Sequence, residues 1–198
     1  MEYGEEIHIL GLPWALIHFV ENPGMAFGIT LGGDFGKLAL SLFRISAVIF
    51  LILYIEKLVR LAAPTGLLLS FALVLAGALG NIFDSAFYGM IFSESPFHGG
   101  LAELLPIEGG YSSFLHGKVV DMLYFPLFQG TFPAWMPFWA GEPFLFFRPV
   151  FNLADASISV GVVSIILFHR GFFNAPETPD ATPPTVSEAQ TADELKTT

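Results

Sequence analysis

Two aspartates sit where ionisation is costly: Asp121 in Gly117-Lys118-Val119-Val120-Asp121-Met122 and Asp155 in Phe151-Asn152-Leu153-Ala154-Asp155. A carboxylate among Val, Phe, Leu and Ala loses hydration, so it generally has a partner or a chemical task. Two such acids on one side of a membrane can share a proton and activate a water, the minimum equipment of an aspartic peptidase. Asp84 adds a third carboxylate. Asn22, Asn81 and Asn152 add short amides able to hold a carboxylate or a peptide carbonyl. Each residue alone has a plainer reading. Asp155 near a helix start reads as a cap, Asp121 as the end of an apolar strand, Gly80-Asn81 as a helix C-terminus, and Asn22-Pro23-Gly24 as a turn. Taken without further information, the residues describe a polytopic membrane protein with a polar outer site.

The elements that must position them are apolar. The chain has 198 residues, 54% of them hydrophobic and 13% charged, against about 25% charged in a soluble domain. That deficit points to lipid as solvent. A net charge of −10 argues against nucleic acid as a partner. The absence of cysteine removes disulfides, thiolate zinc sites and a cysteine nucleophile. The five histidines show no paired ligand spacing, so neither a metal nor another cofactor is expected.

Three stretches predict membrane-spanning helices, at about 36–55 (interrupted only by Arg44), about 66–83 and about 151–168. Each has roughly the length that crosses a bilayer core, and helix is the form that satisfies every amide within its own segment. Ala72, Ala76 and Gly80 repeat at four-residue spacing and predict a helix face for close packing. Lys57 and Arg60 between the first two spans, with Arg170 after the third, predict a cytoplasmic side there. Residues 1–35 and 84–148 are then outside. The outer segment holds Trp135, Trp139 and many Phe, and is expected to rest at the headgroup level, with 132–139 as a candidate lid. Residues 8–27 alternate loosely and predict short strands whose partner the sequence does not name. The first residues, acidic and polar, do not read as a signal peptide. Residues 1–173 are expected to form one membrane-embedded domain. The Pro-, Thr- and Glu-rich tail, 174–198, is expected to be disordered and cytoplasmic.

Four motifs in order sharpen this reading. Asn22-Pro23-Gly24-Met25-Ala26-Phe27-Gly28 resembles the N-x-G-x-A-F element of the bacterial lipoprotein signal peptidases (signal peptidase II). Gly80-Asn81-Ile82-Phe83-Asp84 resembles their G-N-x-x-D, Val119-Val120-Asp121 their V-V-D, and Phe151-Asn152-Leu153-Ala154-Asp155 their F-N-x-A-D. The resemblance covers about His8 to Arg170, and the aromatic insert looks most like the Bacteroidetes-type branch. It implies a mainly α membrane protein: a transmembrane helical bundle with a small periplasmic β-element and an aromatic-rich surface segment.

The implied activity is an aspartic endopeptidase of the inner membrane, with its site near the periplasmic face. It would remove signal peptides from diacylglyceryl-modified prolipoproteins, cutting before the lipidated cysteine. By matched motif Asp121 and Asp155 are the catalytic pair, with Asn22, Gly24, Asn81, Asp84, Asn152 and Ala154 binding substrate or supporting the acids. Membrane lipid and lipid-modified precursors are the implied partners, and a monomer is expected. Two departures accompany the match. Ser85 stands where most relatives carry an Arg, removing a local cation from Asp84. The family has four spans, the first carrying a D-Q-x-x-K element. This sequence shows three and begins where the segment after that span should. A chain lacking the first span is therefore the expectation, and such a chain is expected to fold poorly or to be inactive. The residues alone leave two other classes open: a Ser–Lys membrane peptidase using Ser112 or Ser113 with Lys118, and a transporter or proton-relay protein.

Overall fold

The computed structural model describes residues 1–23, 33–96 and 99–174. Gly24 and the part of its motif that follows, His98 and the tail from residue 175 onward lie outside the described residues, whereas Asn22 and Pro23 lie within them.

Long runs of Leu, Ile, Val, Ala and Phe without proline form α1 (Gly33–Arg60) and α2 (Thr65–Ile91). Pro64 separates them at the N-cap of α2, where its missing N–H costs nothing and continuation of α1 is blocked. Lys57 and Arg60 occupy the last turn of α1 and complement its dipole. Only 11% of the apolar stretch of α1 and 22% of that of α2 is buried, so neither is the core helix of a soluble domain. Phe43, Phe50, Leu53, Leu69 and Phe83 all face outward, an exterior matched to lipid.

A third apolar helix, α3 (Leu153–Phe168), has 16 residues, about 24 Å at the usual rise. After His169 the chain continues as the short α4 (Arg170–Asn174). Among the described residues two helices therefore reach spanning length, and the third expected span is apolar but shorter. A second difference concerns α2. It does not stop near residue 83 but runs about two turns further, so Asn81 and Asp84 lie within it. Gly80-Asn81 is not a helix end. Gly80 is needed for contact: a Cβ there would lie 3.2 Å from the Cβ of Ala154.

The buried residues of α2 are Leu67, Ser70, Gly77, Asn81, Ser85, Ala86 and Gly89, most of them on one face at steps of three, four or seven. That face is small and polar where a soluble helix would be aliphatic, and it lets α3 approach closely. A Cβ on Gly77 would run into the carbonyl of Ala154, and one on Gly161 into the carbonyl of Ser70. Ser70 Oγ and Ser164 Oγ bond across the same seam at 2.8 Å. The packing face is thus rotated from the expected Ala72, Ala76 and Gly80, and Ala72 faces outward. At the far end Leu58, Ala63 and Leu67 form a small core with Tyr54, Phe71 and Ile165 against it.

Beyond the other end of α2 lies an antiparallel sheet in the order β1 (Glu6–His8), β2 (Leu16–Asn22), β3 (Val119–Tyr124), β6 (Val150–Phe151). The partner that the sequence left unnamed for the N-terminal strand is β3, and Asp121 lies within that strand rather than ending it. Asn22 pairs with Val119 and Val20 with Asp121, and a register shift between Ile17 and Val20 places an irregularity beside the acid. β6 pairs with the distal half of β3, Leu123 opposite Phe151, and leads through Asn152 straight into α3. This two-residue strand delivers the start of α3 to Asp121. The aromatic segment forms a separate hairpin, β4 (Phe128–Thr131) with β5 (Pro143–Phe146). The rings of Phe128 and Phe146 stack at 4.5 Å across it.

Filling the α2–α3 seam is expected to be costly in a way that filling the lipid face is not. Gly77→Val should lower thermal stability in detergent micelles by about 1–3 kcal/mol, whereas Ala72→Val should leave it unchanged. Equal effects would contradict the observed helix rotation.

Candidate active site

Asn152 occupies the N-cap of α3, and its side-chain oxygen accepts a hydrogen bond from the N–H of Asp155 at 2.9 Å. Asp155 completes the capping box by accepting from the N–H of Asn152 at 3.4 Å. This is a local consequence of sequence: an Asn cap with an acid three residues later satisfies two otherwise orphaned amides. The cap uses only the oxygen of the Asn152 amide. Its nitrogen donates to Asp121 Oδ1 at 2.9 Å and to the side-chain oxygen of Asn81 at 3.1 Å. Asn81, buried on α2, donates in turn to Asp155 Oδ1 at 2.8 Å. From β2, Asn22 donates to Asp121 Oδ2 at 3.0 Å.

Each oxygen of Asp121 thus accepts one asparagine N–H, while Asp155 accepts one from Asn81 and one from a backbone amide. The chain of bonds also fixes which end of Asn152 and Asn81 is oxygen, since each must accept on one side and donate on the other. Asp121 and Asp155 are two bonds apart through a single side chain, that of Asn152.

Asp121 is buried, at 4% exposure. Burial pushes its pKa above the ordinary value, and the charge of Asp155 adds to the rise. The amides of Asn22 and Asn152 and the cation of Arg44 offset part of it. Asp84 stands apart from this network: its carboxylate reaches the N–H of Val120 at 3.5 Å, the outer limit of a hydrogen bond. Ala154 lies against Gly77 and Gly80, so its smallness lets the start of α3 reach Asn81. Beside these residues a groove of about 380 Å³ opens between α2 and α3, lined by Ala76, Gly77, Gly80, Asp84, Asn152 and Ala154.

The Ser–Lys alternative finds a different arrangement. Lys118 Nζ is 2.6 Å from Glu21 and 3.7 Å from Glu94. Burial draws its pKa down, but the bond to Glu21 and the two negative charges outweigh that and raise it. A base must be neutral, and this amine is held protonated. Ser112 donates to the carbonyl of His116, and Ser113 lies against the ring of His116.

One residue was read in the sequence only as an interruption. Arg44 reaches from α1 to Ser85 Oγ at 3.2 Å, and its charge acts on both Asp155 and Asp121. Its signal was the cost of an arginine within an apolar span.

Residues 1–170 match the family model described as signal peptidase (SPase) II. The chain belongs to that family. Similar proteins include a lipoprotein signal peptidase of Porphyromonas gingivalis, 57% identical over 78% of this chain and 67% of the relative. Another, from Amoebophilus asiaticus, is 38% identical over 86% of this chain and 67% of the relative. A bacterial membrane enzyme solved by the in meso method shares the fold, with a TM-score of 0.52 and 22% identity over 89% of this chain and 78% of that one. Family membership makes this membrane protein a signal peptidase II type hydrolase. The asparagine–aspartate network is therefore the candidate site of a peptidase.

Replacing Asn152 removes a helix cap and the bridge between the acids together. Asn152→Ala is expected to lose about 1 kcal/mol of stability and about 100-fold in peptidase rate, measured by thermal unfolding and precursor cleavage. A variant that loses the stability but keeps the rate would show that the bridge is only a cap.

Proposed function

We propose that this peptidase removes the signal peptide from diacylglyceryl-modified prolipoproteins, cutting before the lipidated cysteine by a two-aspartate mechanism. The observation that carries the reading is the single amide of Asn152, which ties Asp121 to the start of the helix bearing Asp155. Two carboxyls held this close ionise in sequence, so one proton stays with the pair when the first is lost. The ionised member takes a proton from water. The protonated member donates a hydrogen bond to the scissile carbonyl, on which the hydroxide equivalent closes to a tetrahedral intermediate. Collapse transfers a proton to the leaving amine and regenerates the carboxyl pair. General acid–base assistance of this kind is worth about 10² to 10⁴ in rate.

The groove between α2 and α3 supports an extended peptide as the ligand, since Ala76, Gly77 and Gly80 carry little or no side chain to hold its backbone away. Each acyl CH₂ withdrawn from water contributes about 0.8 kcal/mol, so a diacylglyceryl group would hold the substrate in the bilayer beside the acids. The exposed rings of Trp135, Phe138 and Phe146 suit the headgroup layer around it. In this reading the site works at the periplasmic face of the inner membrane, in a monomer in which α3 crosses the bilayer beside α1 and α2. Residues 1–173 act as one domain.

Asp121→Asn and Asp155→Asn should each abolish cleavage of a lipidated precursor while leaving the protein folded in the membrane. Near-normal cleavage by both would refute the mechanism. The pH profile carries a second expectation. Burial and the neighbouring charge raise the pKa of Asp121, and a pair acting as base must first release a proton. The acid limb of the rate profile should therefore lie above the ordinary carboxylate value of about 3.9. Full activity below that value would contradict a buried pair.

A further inference from the structure

We propose that Arg44 is a positioning residue of the aspartate pair: a cation carried into the site by α1 and anchored on Ser85, setting how many protons the two acids hold. The proposal rests on the two-aspartate reading given above.

Three observations carry it. Arg44 lies well inside the apolar length of α1, eleven residues from Gly33 and sixteen from Arg60, where a guanidinium is costly unless it has an anionic or polar destination. Its Nη1 meets Ser85 Oγ at 3.2 Å, on the same buried stripe of α2 as Asn81. Ser85 passes the contact on by donating to the carbonyl of Asn81 at 3.0 Å, and the Asn81 side chain holds Asp155 at 2.8 Å. Arg44 is thus two residues from Asp155 along one hydrogen-bonded path.

The second role is electrostatic, and its sign follows from the charges around it. Asp121 from β3, Asp155 from α3 and Asp84 from α2 lie close enough to act on one another. Asn22 and Asn152 supply only neutral donors to Asp121. The charge of Arg44 acts on both Asp121 and Asp155. Like charges on neighbouring carboxyls oppose one another's ionisation. A nearby guanidinium favours release of one proton from the pair while leaving the other in place, the state in which one acid is base and its partner donor. Lys118, a half-buried cation on the same sheet, is committed to Glu21 and Glu94.

The test is the pH–rate profile of the membrane-embedded protein acting on a lipidated precursor. Wild type, Arg44→Lys and Arg44→Gln are compared, with Asp121→Asn assayed alongside. Removing the cation raises the pKa of the pair. In Arg44→Gln the acid limb should accordingly move up by about one pH unit, with kcat about tenfold lower on the acid side and recovering at alkaline pH while KM changes little. Arg44→Lys should keep its limb near that of wild type. A uniform loss with an unshifted limb, or a lysine variant shifted as far as the glutamine variant, would overturn the proposal and leave the two-aspartate reading intact. Should Arg44→Gln fail to fold, Ser85→Ala removes the anchor and should move the limb in the same direction by less; an unmoved limb there also overturns it. Activity in Asp121→Asn would instead remove the reading on which the proposal stands.

Discussion

The side chain of Asn152 makes two kinds of bond at once, and the site depends on their being made by one rigid amide. Its oxygen caps α3, which any asparagine at a helix start would do. Its nitrogen holds Asp121 on a strand from a different part of the chain. Because the amide is planar, the start of the helix and the carboxylate of the strand are fixed to each other within a few ångströms. Everything else in the fold brings these two partners within reach. β6 carries the chain alongside β3 and hands it to α3 with no intervening loop. The glycines of α2 and α3 let the helices close until Asn81 reaches the same cluster.

The polar side chains also explain why the bundle uses small residues where a soluble bundle would use leucine. In lipid, apolar side chains gain little by turning inward, since hydrocarbon surrounds them either way. Specific contact then comes from close backbone approach and from hydrogen bonds, such as Ser70 to Ser164 and Asn81 to Asp155. The large side chains face outward, as Phe43, Phe50 and Leu53 do on α1. The proposed catalytic cluster, at the end of such a seam, is partly desolvated without needing a deep cavity.

Much of this was legible in the residues. The apolar stretches marked α1, α2 and α3 because hydropathy reports the solvent directly, and the four motifs marked the segments that meet. The cap was read at Asp155, whereas Asn152 is the N-cap and Asp155 its partner three residues on, so the helix start was legible but the role of Asn152 in it was not. The rest of what the sequence did not carry was non-local. Nothing in 16–22 names 119–124 as its partner, because strand pairing depends on the turns and helices between them. The extent of α2 was misjudged because Gly80 and Asn81 resemble a helix end, whereas their tertiary contacts with Ala154 and Asp155 keep them helical. The packing face was read from Ala72, Ala76 and Gly80, but the tightest contacts fall at Gly77 and Gly161. Arg44 was read as an interruption, since a single charge in a span does not say what it reaches.

The central claim is that Asp121 and Asp155 form a pair sharing one proton, and difference infrared titration tests it most directly. Spectra of the wild-type protein are compared with those of Asp121→Asn and Asp155→Asn in lipid. The account predicts that at a pH above the ordinary carboxylate value of about 3.9 the wild type holds a protonated carboxyl whose signal each substitution reduces, while any contribution from neighbouring Asp84 persists in all three proteins. A protonated-carboxyl signal at that pH unchanged by both substitutions would contradict the pairing.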